Sequence, residues 1–76
     1  MKELLTYIAQ NLVDSPGDVR IDEKDMGNEI VFEVRVAEGD MGKIIGRQGR
    51  IVKEIRTLMK SVAQRQGKKV SVDIAD

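Results

Sequence analysis

The stretch Gly42-Lys43-Ile44-Ile45-Gly46-Arg47-Gln48-Gly49-Arg50-Ile51 decides how this 76-residue chain is read. It does not fit either common phosphate loop. A Walker A loop needs Ser or Thr directly after its Gly-Lys, and here Lys43 is followed by Ile44. The dinucleotide fingerprint needs glycines spaced two and then three apart, whereas these fall at 42, 46 and 49. What remains is a G-x-x-G turn, Gly46 to Gly49, with two apolar residues before it and basic residues in and after it. Two glycines three apart let the backbone turn sharply and leave no side chain to block another chain. If a helix follows, its first amides carry partial positive charge and offer a seat for a phosphate.

The flanking sequence supplies those helices. Asp40 is suited to cap a short helix over Met41–Ile45 with its carboxylate. A long helix is expected from about Arg50 to Gln66, with Ile51, Ile55, Leu58, Met59 and Val62 as its buried stripe and Gly67 as its stop. Farther out, Leu4, Leu5, Ile8, Ala9, Leu12 and Val13 recur at helical spacing, so residues 2–13 read as an amphipathic helix. Asp14-Ser15-Pro16-Gly17-Asp18 ends it. Val19 and Ile21 alternate with Arg20 and Asp22 as a short strand. Gly27-Asn28 supplies a turn into a second strand with Ile30, Phe32, Val34 and Val36 on one face. Lys68 to Ile74 forms a third strand, Val70, Val72 and Ile74 alternating with Ser71 and Asp73. Each strand has one apolar and one largely polar face. The expected architecture is therefore α+β in the order αββααβ, a three-stranded sheet with helices packed on one face, as a single domain over residues 1–76. The Met residues are expected to fill the core of so small a domain.

Composition narrows the function. Hydrophobic residues make up 41% and charged residues 34% of the chain, which suits a globular fold and neither a disordered nor a membrane one. With no Cys and no His, disulfides, thiolate metal sites and imidazole bases are excluded. Ser61 has neither partner for nucleophilic catalysis; Asp22, Glu23 and Asp25 offer at most a weak cation site. No enzyme activity, cofactor or metal is expected. No stretch is apolar enough to span a bilayer and no signal peptide is read, so a cytoplasmic location and no membrane partner are expected.

The zero net charge hides a division. Residues 1–40 hold four basic and ten acidic residues, while residues 41–70 hold nine basic residues against Glu54 alone. Asp73 and Asp76 bring the balance to zero. Such segregation points to a polyanionic partner for the second half. Tyr7 and Phe32 are the only aromatics, which argues against a stacking platform.

The run Ile44-Ile45-Gly46-Arg47-Gln48-Gly49-Arg50-Ile51, between two helices and beside a basic helix, resembles the signature of KH domains, modules that bind RNA and single-stranded DNA. The element order is similar to the type II arrangement. Over essentially its whole length the chain looks like the small bacterial single-KH RNA-binding proteins of the KhpA family. The resemblance implies that Gly46, Arg47, Gln48 and Gly49 hold a nucleic-acid backbone, and that an apolar groove beside them receives about four unpaired bases. It also implies single-stranded RNA as partner, in a post-transcriptional regulator or RNA chaperone. Pairing with a second KH-domain protein, as homodimer or heterodimer, is the alternative role, with RNA binding secondary.

Arg50 and Lys53, in the first turn after Gly49, are placed to reach the same backbone, and Lys43 to flank it. One of Ile44 and Ile45 belongs to the groove and the other to the core; spacing alone leaves open which. Arg56 and Lys60 stand open between site and solvated face. Arg65, Lys68 and Lys69 are assigned to the solvated surface.

Overall fold

The computed structural model describes residues 1–75; Asp76, the last residue of the expected domain span, lies outside the described residues. Helix α1 spans Lys2–Leu12, strand β1 Arg20–Asp25, β2 Glu29–Arg35, helix α2 Met41–Ile45, helix α3 Arg50–Arg65 and strand β3 Lys69–Ile74. Short 3₁₀ turns lie at Pro16–Asp18, Glu38–Asp40 and Arg47–Gly49. The αββααβ order expected from the sequence is the order observed.

The sheet order is β1-β2-β3, with β1 antiparallel and β3 parallel to the central β2. A hairpin joins the antiparallel pair. Asp25 Oδ1 accepts the Gly27 N–H at 2.9 Å, and the Met26 N–H donates to the Glu29 carbonyl at 2.7 Å. The acidic residues of this hairpin are thus partly turn chemistry, and β1 runs three residues farther than the sequence pattern indicates. A parallel pair needs a crossover. Here α2, the glycine turn and α3 together form it, which is what suspends the turn at one end of the sheet.

The apolar sheet face (Ile21; Ile30, Phe32, Val34; Val70, Val72) packs against Leu5 and Ala9 of α1, Ile44 of α2 and Ile55, Met59 and Ala63 of α3. Phe32, Leu5, Ile44, Met59 and Val34 are all but fully buried. Burying one such side chain contributes about 1.5–3 kcal/mol. Met59 fills the core as expected, but Met26 sits exposed on the hairpin tip.

Two expectations need correction. The buried stripe of α3 is Val52, Ile55, Met59 and Ala63; Ile51 and Val62 lie at its margin and Leu58 is 45% exposed. Ile55, Met59 and Ala63 pack into the core against the sheet, Val52 is buried outside that core near Gly49, and the bulkier Leu58 is turned outward. Second, Asp40 stands at the N-cap position of α2, yet its carboxylate makes no capping bond. It turns instead to the chain after α1, accepting N–H bonds from Ser15 at 3.0 Å and Asp14 at 3.3 Å.

Candidate nucleic-acid interface

Gly46 leaves α2 with φ +76° and ψ 176°, a region essentially reserved for glycine. Space demands glycine as well, because a Cβ there would lie 2.6 Å from Ile51 Cγ1. Gln48 (φ +57°) and Gly49 (φ +74°) then turn left-handed, and α3 begins at Arg50. The turn is braced by Gly46 N–H to Gly42 carbonyl (2.8 Å) and Gly49 N–H to Gly46 carbonyl (3.2 Å). Arg47, Gln48 and Arg50 are exposed, so the turn presents a guanidinium pair and an amide at the N-terminus of a 16-residue helix. That is an electropositive helix end, although its first amide, the Arg50 N–H, is taken by the Arg47 carbonyl.

The remaining expected site residues divide. Lys53 is exposed one turn into α3. Ile45 stays half-exposed at the foot of the turn, whereas Ile44 is 1% exposed and belongs to the core. Of the two isoleucines left open by the spacing, Ile44 is thus the core residue and presents almost no surface; helical geometry sends adjacent residues about 100° apart, and the sheet takes Ile44. Lys43 is engaged within the fold. Its Nζ lies 2.8 Å from Asp14 Oδ2 and 3.5 Å from Asp40 Oδ1. These carboxylates, Asp14 foremost, hold Lys43 charged above the ordinary lysine range. Burial pushes the Asp40 carboxyl up, but the Ser15 and Asp14 amides together with Lys43 outweigh it and leave it below the usual aspartate value.

Because the stripe of α3 is centred on Val52, Ile55, Met59 and Ala63, Arg56 borders it on the side facing β3. The Arg56 Nε donates to the Val72 carbonyl at 2.9 Å. Lys69 and Ala75 donate their N–H groups inward to Asn28 and Val34. By the two-residue alternation of a strand, Val70 and Val72 aim theirs outward, along the free edge of β3. α3 and this edge run in opposite directions and enclose a cleft. A hollow of about 210 Å³ is lined by Arg56, Lys60, Val70, Ser71, Val72 and Asp73. It continues into one of about 520 Å³ where Gln64, Lys68, Lys69 and one acid, Glu29, join Lys60. Arg56 and Lys60 thus line a cleft, and Lys68 and Lys69 stand at its far end. Sequence reading missed the strand edge and Gln64, since nothing in an alternating pattern tells which strand is left unpaired. The open sheet face offers a contrast. Its hollow of about 590 Å³ is lined by Asp22, Glu23, Glu33 and Asp73 with Lys2 and Lys24, a poor seat for a polyanion.

A model of the KhpA/KhpB KH domain matches residues 2–74. The chain is 53% identical to the RNA-binding protein KhpA of Chlamydia trachomatis, over 100% of this chain and 97% of the relative. Its identity to RNA-binding protein KhpA of Clostridium perfringens is 50%, over 97% and 99% of the two chains. To RNA-binding protein KhpA of Halalkalibacterium halodurans it is 45%, over the full length of both. Among solved structures, Aquifex aeolicus Era bound to GDP·AlF4− superposes with a TM-score of 0.66 at 21% identity, covering 95% of this chain and 28% of that one. Era in complex with MgGDPNP and nucleotides 1506–1542 of 16S ribosomal RNA does so with a TM-score of 0.60 at 22% identity and the same coverage. At that identity the two structures speak to the fold alone.

Proposed function

The chain belongs to the KhpA/KhpB family of KH domains, and from that premise we propose that it is an RNA-binding protein holding single-stranded RNA in the cleft between α3 and β3, with the backbone anchored on the glycine turn. Gly46 and Gly49 let the RNA backbone come close. Arg47, Arg50 and Lys53 neutralise its phosphates, Gln48 donates to a phosphate oxygen, and the positive end of the α3 dipole faces one phosphate. Ile45 provides apolar contact for the first base. Beyond it, unpaired bases lie along Arg56, Lys60, the outward N–H groups of Val70 and Val72 and the Val70 carbonyl, which can read base edges without aromatic stacking. Lys43, tied to Asp14 and Asp40, flanks the track as a fixed charge.

The observation that carries this reading is the turn itself: a glycine-bounded loop opening a basic helix at one end of a cleft along an unpaired strand edge. The role is binding without catalysis, in the cytoplasm, as a post-transcriptional regulator or RNA chaperone. Pairing with a second KH domain is a secondary part of the proposal, read by light scattering with and without RNA.

The test is a titration of an unstructured RNA oligonucleotide against a hairpin stem, for the parent protein and two variants of equal charge change. Arg47→Asp with Gln48→Asp acts on the turn. Lys2→Glu with Lys24→Gln acts on the opposite sheet face, away from the cleft. The single strand should bind more tightly than the stem. The turn variant should weaken binding at least tenfold, about 1.4 kcal/mol, with an unchanged melt, and the control only modestly. Equal losses in both variants would show diffuse charge to be the site; full binding by the turn variant would reject the turn.

A further inference from the structure

We propose that Asp40 is a positioning residue for the RNA-holding turn: its buried carboxylate clamps the backbone of Asp14 and Ser15 to the front of α2 and so fixes where α2 delivers Gly46 to Gly49. The proposal rests on the reading of that turn as the RNA anchor.

Helix α2 has only five residues, too few to hold a direction of its own. Its middle is fastened by Ile44 in the core and its end by the bonds of the turn. Its start has no capping bond. What holds the start is Asp40, the one charged residue among those described that is buried, at 4% exposure. Oδ2 accepts from the Ser15 N–H and Oδ1 from the Asp14 N–H. Lys43, one turn along, closes the circuit by bridging Asp40 to the Asp14 carboxylate. The segment so gripped, after Val13 and before the 3₁₀ turn at Pro16, belongs to no strand, and its Ser15 carbonyl is held only by the Asp18 N–H of that turn at 3.0 Å. A buried carboxylate survives only where its lone pairs are met, and here backbone amides 25 and 26 residues away meet them. The clamp therefore couples two parts of the chain that no sheet ladder joins, and one of them carries the turn.

The sign of the effect separates positioning from charge. Asp40→Asn makes the protein one unit more positive close to the RNA site, so charge alone predicts tighter RNA binding. Positioning predicts weaker binding, by about fivefold. Asp40→Glu keeps the charge but adds a methylene in a closed site, and should weaken binding in the same direction; it also serves should the asparagine variant fold poorly. Amide hydrogen exchange supplies the second readout. In both variants the bonded amides of Ser15, Gly46 and Gly49 should exchange faster, while those of Phe32 and Val34 in the sheet stay as slow as in the parent. Unchanged or tighter RNA binding, or unchanged exchange at Gly46 and Gly49, overturns the proposal. Should the parent protein itself fail to bind the oligonucleotide, the RNA reading falls, and exchange at Gly46 and Gly49 still decides whether Asp40 positions the turn.

Discussion

At Gly46 two independent demands meet, a backbone conformation reserved for glycine and a side-chain contact that leaves no room for a methyl group. Gly49 meets only the first, since a Cβ there would find Val52 Cγ1 no nearer than 4.0 Å. The two glycines of one motif should therefore respond differently to alanine. Gly46→Ala combines backbone strain of about 1–3 kcal/mol with displacement of Ile51 from the edge of the core. Gly49→Ala carries only the left-handed cost, about 1–2 kcal/mol. Urea midpoints at constant m-value should place Gly46→Ala as the less stable of the two. The strain at Gln48, left-handed without being glycine, has the same origin: four residues join α2 to α3, and three of them, Gly46, Gln48 and Gly49, take a positive φ.

Among the elements, the open sheet face holds an unfavourable row. Asp22, Glu33 and Asp73 stand in register across β1, β2 and β3 on the side away from the helices. Like charges directly opposite on neighbouring strands are destabilising. Arg35 offsets part of this, its guanidinium 2.7 Å from Glu33 Oε1. Asp22→Lys would turn one repulsive neighbour into an attractive one on the edge strand, far from the cleft. We expect a rise in stability of about 0.5 kcal/mol, seen as a higher urea midpoint, with RNA affinity no lower than in the parent. The other element whose placement matters is α3. Its phase, with Leu58 turned outward, brings Arg56 to the β3 edge, and with it the lysines that continue the track.

Over the whole molecule, charge and fold coincide: the basic half supplies the turn and α3, the acidic half most of the open sheet face. Binding should accordingly release counterions. If three or four phosphates are neutralised, the logarithm of the association constant should fall with the logarithm of salt concentration with a slope of about −2 to −3, measurable by titration at four salt concentrations. Acid should loosen the molecule through Asp40. Its carboxyl titrates below the ordinary value in the folded state, so the unfolded chain takes up the proton first as pH falls. The stabilisation is present above the unfolded value, near 3.9, and is lost as pH drops through the lower folded value. Urea midpoints of the parent and Asp40→Asn should thus differ at neutral pH and converge below about pH 4.

The order of elements, the glycine turn and the segregation of charge could be read from residues alone, because each depends on neighbours a few positions apart: the alternation of β2, the helical spacing of Leu5 and Ala9, the breaks at Pro16, Gly46 and Gly49. Helix phase was less legible, since Leu58 is about as apolar as Val52 and more so than Ala63, and only packing decides which of them is covered. Three features were decided only by tertiary structure. Whether Ile44 or Ile45 enters the core depends on where the sheet lies beneath α2. The cleft depends on β3 being an edge strand, a matter of pairing order between segments far apart in sequence. Asp40 looks like a helix cap from its neighbours, and becomes a clamp because the chain after α1 passes within hydrogen-bond distance and presents two unpaired amides. Local pattern determines what a segment can form; only the packed chain determines which of its polar groups and edges are left for something else.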